Sequence, residues 1–242
     1  FTWSTDLTFS TYNDRWKERD PNWKPAAYQK EQDPIRGVFA YVADGLLQPG
    51  EEAPAHQPQL LPGQVKLKNI NGDDKLNEED MVLIGRNDPK FIFGFNNNFS
   101  YKNFDLNIYM YGQVGKIAGA NSYYDAWGSY GNRIKLGQNV PVSFKDAWSS
   151  DNQTSTRPSF IESAYGTGDL FLQKISFLRI RNITLGYTVP ISKSICNRLR
   201  VYADINNPCV WTNWKGQDPE TDSNTNAYPN VTSFSIGVDI SF

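Results

Sequence analysis

Alternating apolar and polar residues recur at seven places along this 242-residue chain. Because successive side chains of a β-strand point to opposite faces, this period of two predicts seven strands and an all-β fold. The final strand is the most regular, since every second residue from Phe234 to Phe242 is apolar and Ser, Gly or Asp stand between them. The predicted strands cover residues 1–11, 35–47, 90–101, 104–113, 177–190, 198–207 and 231–242.

One predicted strand departs from regular alternation. In residues 177–190, Arg179 and Arg181 share a face with Ile183 and Leu185. Charged and apolar halves of one face call for different surroundings, so we expect a β-bulge or a change of exposure near Asn182.

The connections between the predicted strands alternate in length. Short turns lie at Lys102 and at 190–197, an intermediate connection at 13–34, and long segments at 48–89, 115–172 and 208–230. Barrels of bacterial outer membranes have short periplasmic turns and long extracellular loops, whereas a soluble sandwich has no reason to keep this rhythm. We therefore expect an antiparallel transmembrane β-barrel segment with lipid on its apolar face, long extracellular loops and a periplasmic C-terminus.

Composition and charge narrow the function classes. The net charge of −2 gives no basic surface for nucleic acid, and no run of eighteen apolar residues predicts a membrane helix. A mean hydropathy of −0.57 does not oppose a barrel, because transmembrane strands alternate in polarity. The sequence starts inside a strand pattern without an initiator Met, so we expect it to be part of a longer protein.

The two cysteines do not form a disulfide framework. In the barrel interpretation, Cys196 lies in a periplasmic turn and Cys209 beyond the extracellular end of the strand at 198–207. About ten residues of strand separate them by roughly 30 Å, whereas a disulfide needs Cα atoms about 4.4–6.8 Å apart. We predict two free thiols on opposite sides of the membrane. The only histidine, His56, stands in a Pro-rich loop and is interpreted as a solvated residue.

Several segments together resemble a known family. The stretch GQVKLKNINGDDKLNEEDMVLIGRNDPKFIFGFNNNFSYKNFDLNIYMYGQ resembles the late barrel of SusC/RagA-type TonB-dependent transporters, in which DINGDGKI is followed by IG, NPKF, GFNN and YKNFDL. The similarity continues upstream in PIRGVFAYVADGLLQ and downstream in FLRIRNITLGYTVP, RLRVYADINN and the terminal strand. A terminal Phe also resembles the C-terminal signal of outer-membrane barrels.

The resemblance implies a barrel of twenty-two strands, of which residues 1–242 would supply about the last seven. The plug domain and the N-terminal strands would lie outside this chain. It also implies an importer of oligosaccharides, or secondly of oligopeptides, in the outer membrane of a Gram-negative bacterium. A SusD-like surface lipoprotein would cap the extracellular mouth, and TonB would supply energy through the plug.

The segment NINGDDKLNEED, residues 69–80, matches the spacing of a twelve-residue calcium loop. Asp74 stands where Gly eases the sharp turn, and an Asn at the first position removes a charge. Two interpretations stay open: a bound Ca²⁺, and a self-capped turn rich in Asn and Asp. The candidate oxygen ligands are those of Asn69, Asn71, Asp73, Lys75 (its carbonyl) and Asp80.

Aromatic residues beside amides and carboxylates occur in two predicted loops. Flat apolar rings next to hydrogen-bonding groups suit sugars and also peptides, while the alternative is ordinary loop packing. Trp148 resembles a scaffold residue of the family. The candidate substrate contacts are Tyr123, Tyr124, Asp125, Trp127, Trp211 and Trp214.

Enzyme signatures are absent from the sequence. It contains no GxSxG, no HExxH and no phosphate-binding loop, so we predict no enzymatic activity and no required cofactor. The alternative from another class is a soluble all-β module that binds or cleaves carbohydrate, since a pair of carboxylates can form by chance.

Overall fold

A computed structural model describes residues 1–119, 136–137, 139–140, 142–161, 163–191, 196–216, 218–221, 227–228 and 230–242. Within these residues the chain is built almost entirely of antiparallel β-structure, with two short 3-10 helices at Glu78–Asp80 and Val142–Asp146. None of the helices among them is long and apolar enough to cross a membrane. The strands are β1 (Thr2–Ser10), β2 (Gly37–Ala40), β3 (Ala43–Leu46), β4 (Val65–Leu67), β5 (Val82–Arg86), β6 (Phe91–Tyr101), β7 (Phe104–Gly119), β8 (Leu172–Val189), β9 (Arg198–Thr212) and β10 (Ser233–Ser241).

One six-stranded sheet dominates, in the order β1-β6-β7-β8-β9-β10. Strands β7, β8 and β9 contain 16, 18 and 15 residues, longer than predicted. Because about ten residues suffice to cross a bilayer, these three strands are long enough to continue beyond it. The sheet keeps two open edges, at β1 and β10, so it is part of a barrel and not a closed one.

The second predicted strand, at 35–47, is wrong as a strand of the main sheet. It forms β2 and β3, which pair with β5 and β4 in two small separate sheets. Leu46 and Leu47 are adjacent and both buried, which a strand with one apolar and one polar face does not allow. Gly45, which lies within β3 directly before the two leucines, has a φ of 85°, which further interrupts the alternation.

This correction changes the direction of the first strand. Since β1 pairs directly with β6, residues 11–90 form one long connection at the end of the sheet where the other long segments lie. The intermediate connection at 13–34 therefore belongs to the long-loop side. The short turns remain where they were predicted, at Lys102–Asn103 and between β8 and β9.

The sheet has one apolar face, made of rows that run across all its strands. One such row consists of Trp3, Phe99, Leu106, Leu185, Ala203 and Ile236. Along β10, the exposed fractions of Phe234, Ile236, Val238 and Ile240 are 77%, 82%, 55% and 51%. An apolar face of this size requires a cover, which in water marks an interaction surface and in a membrane is the lipid.

The segment between β1 and β6 forms a packed layer of its own with residues 147–170. Its core is Leu46, Val65 and Leu67, against which Trp148 and other partly buried residues pack. Gly63, with a φ of 82°, lies so close to Trp148 that a Cβ at this position would come within 2.2 Å of the indole. Trp148 is thus a scaffold residue, as the resemblance implied.

Candidate functional site

The face of the sheet opposite the apolar one is lined by amides, hydroxyls and carboxylates. Paired residues of neighbouring strands bring these polar groups into rows. The clearest row is Ser4, Asn98, Asn107, Thr184, Asp204 and Ser235. The adjacent row is Asp6, Asn96, Tyr109, Asn182, Asn206 and Ser233.

Side chains of these two rows hydrogen-bond to one another. The Asn107 amide donates to the carbonyl oxygens of Asn96 and Asn98, at 2.7 Å in each case. The Asp204 carboxylate accepts from the Thr184 hydroxyl at 2.7 Å and from the Asn206 amide at 2.7 Å. Such a network fixes the orientation of the groups, so this face is a preorganised polar wall with both donors and acceptors.

An ion-pair cluster ties three strands together near the short turns. Arg200 of β9 donates to both carboxylate oxygens of Asp105 on β7, at 2.9 and 2.6 Å, and to Asp239 of β10 at 3.0 Å. Strand β8 lies between Asp105 and Arg200, and a Cβ at Gly186 would stand 2.4 Å from the guanidinium. The absence of a side chain at Gly186 therefore lets Arg200 reach across β8.

The bulge predicted near Asn182 is confirmed. Pairing between β8 and β9 passes from Ile180 with Cys209 to Asn182 with Asn206, so Arg181 is left unpaired in the register. Asn207 opposite has a φ of 49°, in the left-handed region that Asn tolerates better than most residues. One residue of β8 thus faces two residues of β9, which bends both strands at this level.

The bulge anchors the segment that follows β9. The Arg179 and Asp218 side chains are only 3% and 5% exposed, and their N–O distance is 2.8 Å. Glu220 lies 2.7 Å from Arg179 and 3.3 Å from Arg181. Arg181 also donates to Asn207 at 3.1 Å. We call these five residues the loop anchor.

The loop anchor also holds the returning end of the same segment. The Asn230 amide donates to Asp218 at 3.2 Å, and the Asn207 amide donates to the Val231 carbonyl at 3.2 Å. These contacts hold both ends of the connection from β9 to β10 against residues at the bulge. Sequence reasoning noticed the two arginines as a break in the pattern but missed their acidic partners, which are about forty residues away.

The calcium-like loop uses its candidate oxygens for its own backbone. The Asn69, Asn71 and Asp73 side chains accept from the amides of Gly72, Asp73 and Lys75 at 2.6, 3.1 and 2.9 Å. Asp74 adopts a φ of 58°, as expected for a residue that stands where the calcium loop has Gly.

Asp80 closes the calcium-like loop from within. It is fully buried, and its carboxylate accepts from the amides of Ile70 and Asn77 at 2.7 and 3.0 Å. Burial raises the pKa of the nearby Tyr41 hydroxyl above its ordinary value, and the charge of Asp80 adds to this rise. The described part of the chain contains no group of three or more His, Cys, Asp or Glu residues arranged to hold a metal. These contacts favour the self-capped turn, and a bound Ca²⁺ stays a prediction.

The predicted substrate contacts fall into two groups: four residues outside the described part of the chain, and two tryptophans within it. Tyr123, Tyr124, Asp125 and Trp127 lie outside the described residues. Trp211 lies in β9 and is 56% exposed, whereas Trp214 is 6% exposed. Trp214 packs in a cluster with Phe144, Ala147, Phe177 and other apolar residues, so in this structure it holds loops together and is not accessible to a ligand.

Cys196 and Cys209 are both free. Cys209 lies within β9, paired with Ile180, because β9 extends to Thr212. Cys196 lies just before β9 begins. The prediction of two unpaired thiols is therefore confirmed, and their location on opposite sides of a membrane stays a prediction.

Comparison with known proteins gives consistent matches. The chain is 26% identical to TonB-dependent receptor P3 of Formosa agariphila over its whole length, which is 27% of that receptor. It is 26% identical to TonB-dependent receptor SusC of Bacteroides thetaiotaomicron over 71% of the chain and 17% of that receptor. No family model matches.

The fold is shared with a solved structure. The structure of the RagAB peptide transporter matches 99% of this chain and 27% of that chain, with a TM-score of 0.71 and 20% identity. The chain spans about a quarter of the length of receptor P3 and of that structure. The matched proteins are receptors and transporters and not enzymes, in agreement with the interpretation that this chain is not an enzyme.

Proposed function

Because the chain resembles SusC/RagA-type TonB-dependent receptors along its whole length, we propose that it forms the wall of an outer-membrane nutrient importer. In this proposal residues 1–242 supply six of the barrel strands and the extracellular layer above them. The preceding strands and the plug lie outside this chain. Oligosaccharides are the first candidate substrate and oligopeptides the second.

The observation that carries the proposal is the division of one sheet into two unlike faces. A continuous apolar face on β1 and β6–β10 suits contact with lipid, and the polar wall behind it suits a water-filled or plugged lumen. Long connections lie at one end of the sheet only. A soluble carbohydrate-binding or carbohydrate-cleaving module would leave the large side chains of β1 and β10 in water, which disfavours that alternative.

The family resemblance suggests which proteins act together with this barrel. We propose that a SusD-like lipoprotein caps the long-loop side and that TonB supplies energy through the plug. The long-loop side is then extracellular, and the C-terminus, at the end of β10 beside the short turns, is periplasmic.

Peptide import is the second candidate, and a specific observation supports it. The RagAB structure, which shares the fold, is described as a peptide transporter. At 20% identity the likeness shows a shared fold, so oligopeptides stay the second candidate after oligosaccharides.

Growth of a deletion strain tests both candidates. The gene for the full-length protein is removed from its bacterium, and the strain is grown on single neutral glycans or on a tryptic peptide mixture as carbon source. We expect lost growth on at least one glycan, restored by the wild-type gene. Lost growth on peptides alone would favour the second candidate, and unchanged growth on every source would contradict nutrient import.

A further inference from the structure

Aromatic residues also surround a cavity in the long connection after β1. A cavity of about 420 Å³ opens there, within the range of about 300–1,000 Å³ usual for small-molecule sites. Its aromatic lining is Trp16, Tyr28 and Phe39, and its polar lining is Arg19, Gln29 and Asp33.

The aromatic rings of this cavity are held in place. The Arg19 guanidinium lies 4.7 Å from the Trp16 ring and 3.8 Å from the Trp23 ring, so it is stacked between two indoles. The Tyr28 and Phe39 rings are 4.9 Å apart. Trp16 nevertheless keeps 37% of its surface exposed. A ring that is both fixed and exposed loses little conformational entropy when a flat ligand stacks on it.

Each polar side chain around the cavity forms hydrogen bonds within the protein with only some of its polar atoms. Arg19 donates through Nε and Nη2 to the carbonyls of Glu31 and Lys30, at 3.3 and 3.4 Å. The Gln29 carbonyl oxygen accepts from the Ala26 amide, and Asp33 Oδ2 accepts from the Lys30 amide at 2.6 Å. These bonds hold the three side chains in position.

One polar atom of each side chain forms no hydrogen bond within the described part of the chain. They are Arg19 Nη1 and Gln29 Nε2, which are donors, and Asp33 Oδ1, which is an acceptor.

We propose that this cavity binds one ring of a neutral oligosaccharide on the extracellular side, an inference that rests on the proposed import function. The C–H face of a sugar ring stacks on Trp16 or Tyr28. Sugar hydroxyls donate to Asp33 and accept from Arg19 and Gln29. The opposite charges of Arg19 and Asp33 balance, which suits an uncharged ligand better than an acidic or basic one. We name Trp16, Arg19, Gln29, Tyr28 and Asp33 the sugar-ring site.

A peptide fits this cavity less well. Proteins usually capture extended peptides through a row of backbone groups, through charge clusters of one sign or, for Pro-rich segments, in an aromatic-lined groove. Here the unused donors and acceptors belong to side chains of mixed charge around aromatic rings, which is the arrangement that a ring with several hydroxyls requires.

Binding to the full-length protein in detergent tests the sugar-ring site. The probes are maltohexaose, laminarihexaose, xylohexaose and mannohexaose, measured by isothermal calorimetry. For the sugar that binds, we expect Trp16→Ala to raise Kd about tenfold, since an aromatic contact contributes on this scale. Asp33→Asn should raise Kd severalfold without disturbing the stacked rings, and Trp16→Tyr should restore most of the affinity.

Tyr228→Ala is the matched control, since Tyr228 is an aromatic residue that is 82% exposed and does not line the cavity. Its Kd should equal that of the wild type. Unchanged affinity in Trp16→Ala and Asp33→Asn would overturn the sugar-ring site and leave the import function standing. Failure of all four sugars to bind the wild type would also overturn it, while the growth experiment would decide import separately.

Discussion

Replacement of Ile236 by Arg places a charge in the middle of the apolar face. Ile236 is the fourth of nine residues of β10, beside Gly237 at the strand centre, and it is 82% exposed. It pairs with Ala203 of β9, so little packing is lost when the side chain changes. The effect of Ile236→Arg is therefore decided by what covers the face.

The expected magnitudes separate a lipid cover from water. An arginine on the lipid face near the bilayer midplane destabilises a barrel by about 2–4 kcal/mol. This corresponds to a roughly 30- to 1,000-fold change in the folding equilibrium. At a solvent-exposed position away from special features, a substitution usually stays within about 0.5 kcal/mol.

The measurement is urea unfolding of the full-length protein in lipid vesicles, followed by tryptophan fluorescence. Ser235→Arg is the matched control, because Ser235 is the adjacent residue, pairs with Asp204 and belongs to the polar wall. We expect the control to keep the wild-type free energy of unfolding. Equal stability of Ile236→Arg and the control would refute the assignment of this face to lipid.

Three further predictions concern the loops and the thiols. Arg179→Ala leaves Asp218 buried without its ion-pair partner and leaves Glu220 paired with Arg181 alone, so we expect a loss of about 3–5 kcal/mol in stability and faster hydrogen exchange at 213–221. The triple variant Arg179→Met, Asp218→Leu, Glu220→Leu should recover most of it, and a stable single variant would contradict the loop anchor. Calorimetric titration with Ca²⁺ should give the same heat for the wild type and Asp73→Ala if the loop at 69–80 is a self-capped turn, and a heat lost only in the variant would establish a metal. An impermeant maleimide on intact cells should not label Cys196, which the proposed orientation places on the periplasmic side, and labelling of Cys196 would refute that orientation.

Period-two alternation was sufficient to predict the strands whose two faces lie in different environments. Strands such as β10 and β6 were predicted to within a few residues, because each side chain must suit apolar surroundings on one face or polar surroundings on the other. The same rule exposed the misfit at Arg179 and Arg181, and the structure resolved it as a bulge. The unpaired thiols also followed from strand length alone.

Period-two alternation did not predict the structure correctly where the chain leaves the main sheet. Residues 35–47 carry a strand-like pattern, but Leu46 is buried in a small core with Val65 and Leu67, against which residues as distant as Trp148 and Leu170 pack, and Leu47 is buried as well. Which loops pack together depends on contacts across more than a hundred residues, such as the Asp169 carboxylate that accepts from the Ala43 amide at 2.7 Å. A local pattern does not encode such pairings.

The sequence by itself therefore determined the fold class, the strands of the main sheet, the position of the bulge and the family resemblance, because these depend on near neighbours along the chain. Only the tertiary structure decided that β1 pairs with β6, that Trp214 is buried and that Arg179 meets Asp218. It also brought Trp16, Arg19 and Asp33 around one cavity. The physical reason is that these contacts join residues that no local period relates, and they form because burial and charge pairing outweigh the entropy of ordering the loops.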